Sequence, residues 1–208
     1  NATWRELLAL TFHDELPAPV WPDGGARWVE VVAALLESPR DPWWDDVTTD
    51  RVEERDDVLR SAMLEARDEL TRRQAREADR WTWGHVHQLF LASPGLLGDG
   101  VALDLARRVV EPDPWEVGGG PGAVDATGWD AARGFEVTTT PSMRMVVSLA
   151  DWDDSRWVAL TGVSGHPTSS HYTDQTDLLV RGETLPFLFS PDAVAEAADS
   201  ELTLRPAP

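Results

Sequence analysis

The sequence predicts an α+β fold, with helices first and a small antiparallel sheet after them. Apolar residues recur at helical spacing through roughly the first 80 positions. A later stretch, "SMRMVVSLA", alternates residue by residue and is answered across the acidic turn "DWDDS" by "RWVALTG", the pattern of a two-stranded hairpin. With 42% hydrophobic residues in a chain of 208, there is enough apolar material for an ordinary core. We divide the chain into a helical segment, 3–80, and a loop-rich antiparallel β segment with short C-terminal helices, 81–208. Residues 1–2 read as the remnant of a cleaved tag, although Asn1-Ala2-Thr3 also fits a glycosylation sequon.

Each element follows from local pattern. Trp4, Leu7, Leu8 and Phe12 share one face of a first helix. The segment "PAPVWPDGG", with three prolines and two glycines, breaks the chain. Residues 26–37 form a second helix that stops before Pro39. A third helix is predicted from about 51 to about 78. Asp50 and Glu53 are spaced as a capping box, and Val58, Leu59, Ala62, Met63, Ala66 and Leu70 form its apolar stripe. Residues 94–134, rich in Gly and Pro, predict a long loop with little regular structure. Within it "GGGPG" lacks the lysine and the strand–helix setting of a phosphate loop and reads as flexible. "FEVTTT" is a third strand and "LPFLF" a short buried strand. Ser169 or Ser170 caps a short helix that ends at Gly182.

Composition excludes several functions. The chain has 37 acidic and 18 basic residues, a net charge of −19, with no basic stripe, so neither nucleic acid nor an anionic membrane is an expected partner. Every basic residue is Arg, which removes lysine chemistry. No cysteine is present, which removes disulfides and thiolate sites.

Candidate chemistry is sparse. Ser164 in "GVSGHP" lacks the second Gly of a nucleophile elbow, and a turn serine beside Gly165 is the simpler reading. His85 and His87 would share a face if they lay on a strand and could then hold zinc with His171 or an Asp. A hydrogen-bonded core histidine is the competing reading. Asp151, Asp153 and Asp154 lack the Gly and bidentate Glu of an EF-hand loop and read as a solvated turn. Eleven tryptophans allow an independent ligand- or carbohydrate-binding module, although Trp4, Trp28 and Trp157 lie on faces that look internal.

Four segments occur here in an order that resembles the penicillin acylase family, the N-terminal-nucleophile (Ntn) amidohydrolases. They are "DPWWDD", "WGHVHQLFL", "GFEVTTTPSMRMVVSL" and "GVSGHPTSSHYTDQTDLLVRG". The last is the most specific. Its matching positions are Gly162, Ser164, Gly165, Pro167, Ser170, His171, Tyr172, Asp174, Gln175 and Gly182. One departure is Gly119-Gly120-Pro121 where the family often has Gly-Gly-Asp. The resemblance implies a piece of the αββα Ntn-hydrolase fold, namely the C-terminal part of a β subunit. The parent protein would hydrolyse a linear amide of an acylated amine (a β-lactam, homoserine lactone or lipopeptide type) through an N-terminal Ser. No position here matches that Ser, so no catalytic residue is expected in this chain, which by itself would be inactive. The partners implied are the rest of the β subunit and the α subunit of the same precursor, with self-association through exposed sheet edges as a further outcome. Calcium belongs to the parent protein, with its ligands upstream; no metal and no cofactor is expected here. The family also implies export to the periplasm or beyond. By position, Ser142 and Arg144 are the pocket-contact candidates, a surface arginine on a polar strand face being the alternative for Arg144. The motif itself reads as a capped helix with Tyr172, Thr176 and Leu179 facing inward.

Overall fold

The computed structural model describes residues 1–93, 96, 98 and 100–205. The architecture is α+β. It divides into two compact units: residues 1–97 with 111–140, and residues 98–110 with 141–208. None of the described helices is long and apolar enough to cross a membrane.

The first unit is built on helices. Helix α1 (Ala2–Phe12) runs along α3 (Arg55–Arg73). Leu7, Leu8 and Phe12 from α1 meet Val58 and Ala62 from α3 in the core, together with Val32 of α2 (Ala26–Leu36). Small residues at 62 and 66 leave the room that lets the two helices approach. Trp44, in a short 3-10 turn at Pro42–Trp44, has no exposed surface, and its indole N–H donates to the Ser38 carbonyl at 2.9 Å. The chain returns to this core through Trp129, Ala131 and Phe135. That return is pinned where the Ala131 N–H donates to the Asp23 carbonyl.

Helix α3 is shorter than expected at both ends. Its capping box is Glu54 with Asp57, not Asp50 with Glu53. The residues ahead of it are held in a loop by their own acidic side chains: Asp45 accepts from the Glu53 N–H and Asp46 from the Thr48 N–H. Such local bonds compete with helix formation. At the other end Gln74 leaves helical geometry (φ −124°, ψ −79°) and its side chain accepts from the Thr82 N–H. Met63, assigned to the apolar stripe, is 60% exposed; the buried line is Val58, Ala62 and Ala66, spaced by four.

The predicted long loop holds more structure than expected. Pro94, Gly95, Leu97 and Asp99 lie outside the described residues. Beyond them come α5 (Val101–Val110), which belongs to the second unit, and two-residue strands β2 (Trp115–Glu116) and β3 (Gly128–Trp129). An Asp104–Arg107 ion pair at i,i+3 spans α5, acid toward its start and base toward its end, the order that favours a helix. The Gly-rich segment is closed by hydrogen bonds: the Gly120 N–H donates to the Asp125 carbonyl, and Gly119 has φ +84°. Short α4 (Trp83–Val86) leads into β1 (Gln88–Leu89), which pairs with β2, while β3 pairs with β4 (Val137–Thr139). The expected third strand is therefore real but joins a different sheet.

The second unit carries the hairpin. β5 (Met143–Val146) pairs antiparallel with β6 (Arg156–Ala159), and β6 with β7 (Leu185–Pro186). Helix α6 (Thr176–Arg181) packs on one face, where Val158 and Leu179 are buried. The other face carries Met143 and Met145, both 46% exposed, with half-buried Trp157. The expectation that the "LPFLF" segment is buried fails at Phe187 and Phe189, both exposed. Phe187 packs at a tilt against Trp157, and Phe189 meets exposed Trp152 edge to face. Helix α7 (Pro191–Ala197), capped by the Ser190 hydroxyl, ends the regular structure.

The buried indole gives a first test. Trp44→Ala should cost about 3–5 kcal/mol of unfolding free energy, whereas Met63→Ala, at the surface, should stay within about 0.5 kcal/mol. Urea denaturation of the two variants measures both.

Candidate functional site

The residues of the motif are gathered around the end of β6 and the start of α6. After β6 the Leu160 N–H donates to the Ser142 carbonyl at 2.9 Å, closing the hairpin. The chain then folds back on itself: the Gly162 N–H donates to the Tyr172 carbonyl and the Ser164 N–H to the His171 carbonyl. Gly162 lies so close to the returning chain that a Cβ would overlap the His171 carbonyl oxygen and the Asp174 carboxylate. A Cβ placed on Gly165 would meet nothing within 4 Å.

Two buried polar side chains dock α6. The Gln175 amide oxygen accepts from the Ala159 N–H at 2.9 Å. The Thr176 hydroxyl donates to the Leu160 carbonyl at 2.7 Å. They satisfy backbone groups that β6 leaves unpaired where it ends, as buried peptide groups require. Gln175, not Ser169 or Ser170, occupies the position before the first turn. The Ser169 hydroxyl instead accepts from the His171 N–H in a local turn. Gly182 ends α6 in the left-handed region (φ +74°), with N–H bonds from residues 182 and 183 to the carbonyls of Leu179 and Leu178, the usual helix stop. Thr176 and Leu179 are buried and Tyr172 half-buried.

The groups that resemble catalytic residues are engaged elsewhere. The Ser164 hydroxyl accepts from the His166 N–H at 3.2 Å. The His166 ring takes up the Thr168 N–H, and His171 Nδ1 pairs with Asp174 at 2.8 Å, both of the latter side chains open to solvent. No hydrogen bond among the described residues joins Ser164 to a histidine ring. Pro167 is half-buried and Ser170 exposed. Arg144 extends under the sheet to donate to the Leu179 carbonyl at 3.0 Å, so it anchors the C-terminal turn of α6. Ser142 is exposed, and the contact described for it is through its backbone.

The two histidines of "GHVH" diverge. His85 is exposed and faces Glu116. His87 is fully buried: Nδ1 donates to the Phe135 carbonyl at 2.6 Å, Nε2 lies 3.1 Å from the Thr127 hydroxyl, and its ring stacks on Trp83. The Thr127 hydroxyl in turn bonds the Gly118 carbonyl. The buried histidine thus knits α4 to the Gly-rich segment and to the Phe135 return. Its partners lie 40 and 48 residues away, beyond the reach of sequence pattern.

No group of three or more metal-ligating side chains occurs among the described residues. In the acidic turn Asp151 caps a 3-10 turn by accepting from the Asp153 N–H. Asp153 accepts from the Phe189 and Ser190 N–H groups at 2.7 and 2.8 Å. Hydrogen bonds from the side chain and backbone of Ser190, then from Phe189, hold its carboxyl below the ordinary aspartate range. The Asp153 carboxylate thus fastens the β7–α7 connection. Most tryptophans are half-buried or buried, with Trp4, Trp21, Trp44, Trp81 and Trp83 donating to backbone carbonyls.

The model of the penicillin amidase family matches residues 1–196. The chain belongs to that family. Among its relatives is the acyl-homoserine lactone acylase QuiP of Pseudomonas aeruginosa, 26% identical across the whole of this chain and 26% of the relative. The penicillin acylase 2 proenzyme of Pseudomonas sp. strain SE83 is 31% identical over 92% of this chain and 22% of its own length. QuiP of Pseudomonas putida is 26% identical over 86% and 22%. The chain therefore spans about a quarter of the length of these penicillin amidase relatives.

The docking of α6 sets a second test. Gly162→Ala should destabilise the chain by about 2 kcal/mol or more through overpacking, while Gly165→Ala stays within about 0.5 kcal/mol. Thr176→Val, equal in shape but lacking the donor, should cost about 1–3 kcal/mol because the buried Leu160 carbonyl is left unpaired. Thermal or urea unfolding of the three variants separates them.

Proposed function

We propose that this chain is the C-terminal part of the β subunit of an acylase that hydrolyses linear amides. In the whole protein, a serine freed at the start of the β subunit attacks the amide carbonyl. Its own α-amine, with a pKa near 8, serves as base, directly or through water. The acyl group passes to the serine as the amine leaves, and water then releases the acid. The observation that carries the reading is the family match over nearly the whole chain, with relatives named as acylases.

The sheet supports this placement. On its face with Met143, Met145 and Trp157 the two methionines are exposed, and β5 lies at the edge of the sheet. Apolar faces and unpaired edges of this kind call for a covering layer, which the remainder of the β subunit and the α subunit would supply within a two-sheet Ntn core. In this reading Gln175, Thr176, Arg144 and Gly162 are positioning residues: they hold α6 against the sheet. His171, Tyr172 and Asp174 shape the connecting turn, and no residue of the chain acts on substrate. The substrate is an acylated amine of the β-lactam or acyl-homoserine lactone kind.

Assaying p-nitroanilide, penicillin and acyl-homoserine lactone turnover by this chain and by the full-length gene product tests the proposal. Activity is expected only from the full-length product, together with a β subunit whose first residue is Ser by N-terminal sequencing. Turnover by the chain alone that is lost in Ser164→Ala would overturn it.

A further inference from the structure

His87 has no exposed surface, and a series of three polar contacts runs through its ring. Nδ1 meets the Phe135 carbonyl at 2.6 Å. Nε2 meets the Thr127 hydroxyl at 3.1 Å. That hydroxyl meets the Gly118 carbonyl at 2.5 Å, with the Asp125 carbonyl farther off at 3.5 Å. Both ends of the series are carbonyl oxygens, which only accept.

Each of the three contacts needs a proton between its heavy atoms. The Thr127 hydroxyl supplies one, and a neutral imidazole supplies one more. Every neutral arrangement therefore leaves one contact with lone pairs facing each other. With the ring proton on Nδ1 and the hydroxyl turned to Gly118, Nε2 faces the Thr127 oxygen bare. With the hydroxyl turned to Nε2, the Gly118 carbonyl faces another oxygen at 2.5 Å with nothing between them. With the ring proton on Nε2, Nδ1 faces the Phe135 carbonyl bare at 2.6 Å. A ring carrying both protons satisfies all three contacts.

We infer that His87 is a buried imidazolium, and that its second proton is what joins α4 to the Gly-rich segment 118–127. Nδ1–H donates to the Phe135 carbonyl, Nε2–H to the Thr127 oxygen, and the Thr127 hydroxyl to the Gly118 carbonyl. Full burial works against the charge, and three features offset it. Both ring N–H groups end on oxygen acceptors, and hydrogen bonds from a charged donor are the strong kind. The ring lies nearly parallel to Trp83, at 18° with centroids 4.5 Å apart, so the electron-rich face of the indole is turned to the cation. The other cations in this core, Arg5 and Arg73, lie over the Phe135 ring and are paired with Glu6 and Glu69. His85, two residues earlier, is turned to Glu116. The Trp83 N–H in turn donates to the Gly119 carbonyl at 3.1 Å. The Gly-rich segment is thus held at two neighbouring carbonyls, Gly118 through Thr127 and Gly119 through the indole that stacks on the charged ring.

Long-range proton–nitrogen correlation spectra of the full chain near neutral pH test this. Both His87 ring nitrogens should show the protonated shift of an imidazolium; one protonated and one bare nitrogen overturns the proposal. Thr127→Ser keeps the hydroxyl and should keep the two-proton pattern. Thr127→Val removes the oxygen that accepts from Nε2, so the ring should lose its second proton. Exchange protection of the Gly120 amide, which bonds the Asp125 carbonyl, should then fall about tenfold or more. Retention of both ring protons, or of full Gly120 protection, in the valine variant overturns the proposal. Should that variant not fold, the parent and serine spectra decide, and a neutral ring in either one overturns it.

Discussion

Three short strands cannot cover both of their own faces, and the second unit is organised around that limit. Residue register places Met145, Trp157 and Leu185 side by side on one face of the β5–β6–β7 sheet and Arg144 beside Val158 on the other. Helix α6, only six residues long, packs on the second face. So short a helix brings little apolar area, and burial of Leu179 and Val158 contributes only about 1.5–3 kcal/mol each. Polar bonds at both ends therefore fix its position: Gln175 and Thr176 at the start, Arg144 at the finish. Gly162 is the steric condition for all of them, because it admits the returning turn that delivers residues 171–176 to the end of β6.

A cluster of His, Ser, Asp and Gln can look like an active site and be a joint. Buried backbone at the end of a strand has the same appetite for hydrogen bonds as a reacting group. A sequence that supplies several short polar side chains in a row can be meeting that need. The distinction lies in where the hydrogen bonds go. Those described for Ser164, Ser169 and Gln175 reach neighbouring backbone, and His171 reaches Asp174.

Elements with strong periodicity were legible: α1, α2, the hairpin and the stop at Gly182 follow from spacing and from one glycine. The family motif was legible as a pattern, and with it the kinship. What escaped depended on distance or on competition. Helix α5 was hidden by the Gly- and Pro-rich residues on either side of it. The start of α3 was misplaced because Asp45 and Asp46 each supply a bond to the loop that a capping pattern does not count. The partners of His87 lie far along the chain, and nothing in "WGHVH" points to Thr127 or Phe135. The exposure of Met143 and Met145 could not be read from alternation, which says which residues share a face but not whether anything lies against it.

The order in which the chain visits its two units has a consequence for how such a protein can change over time. The first unit is interrupted by residues 98–110, which belong to the second, and is completed only by residues 111–140. Neither unit is therefore one uninterrupted stretch of gene. A deletion, duplication or exchange with its boundary anywhere in that span would leave one unit without a helix or the other without the Trp129–Phe135 portion of its core. Recombination can move the pair together far more readily than it can move either alone.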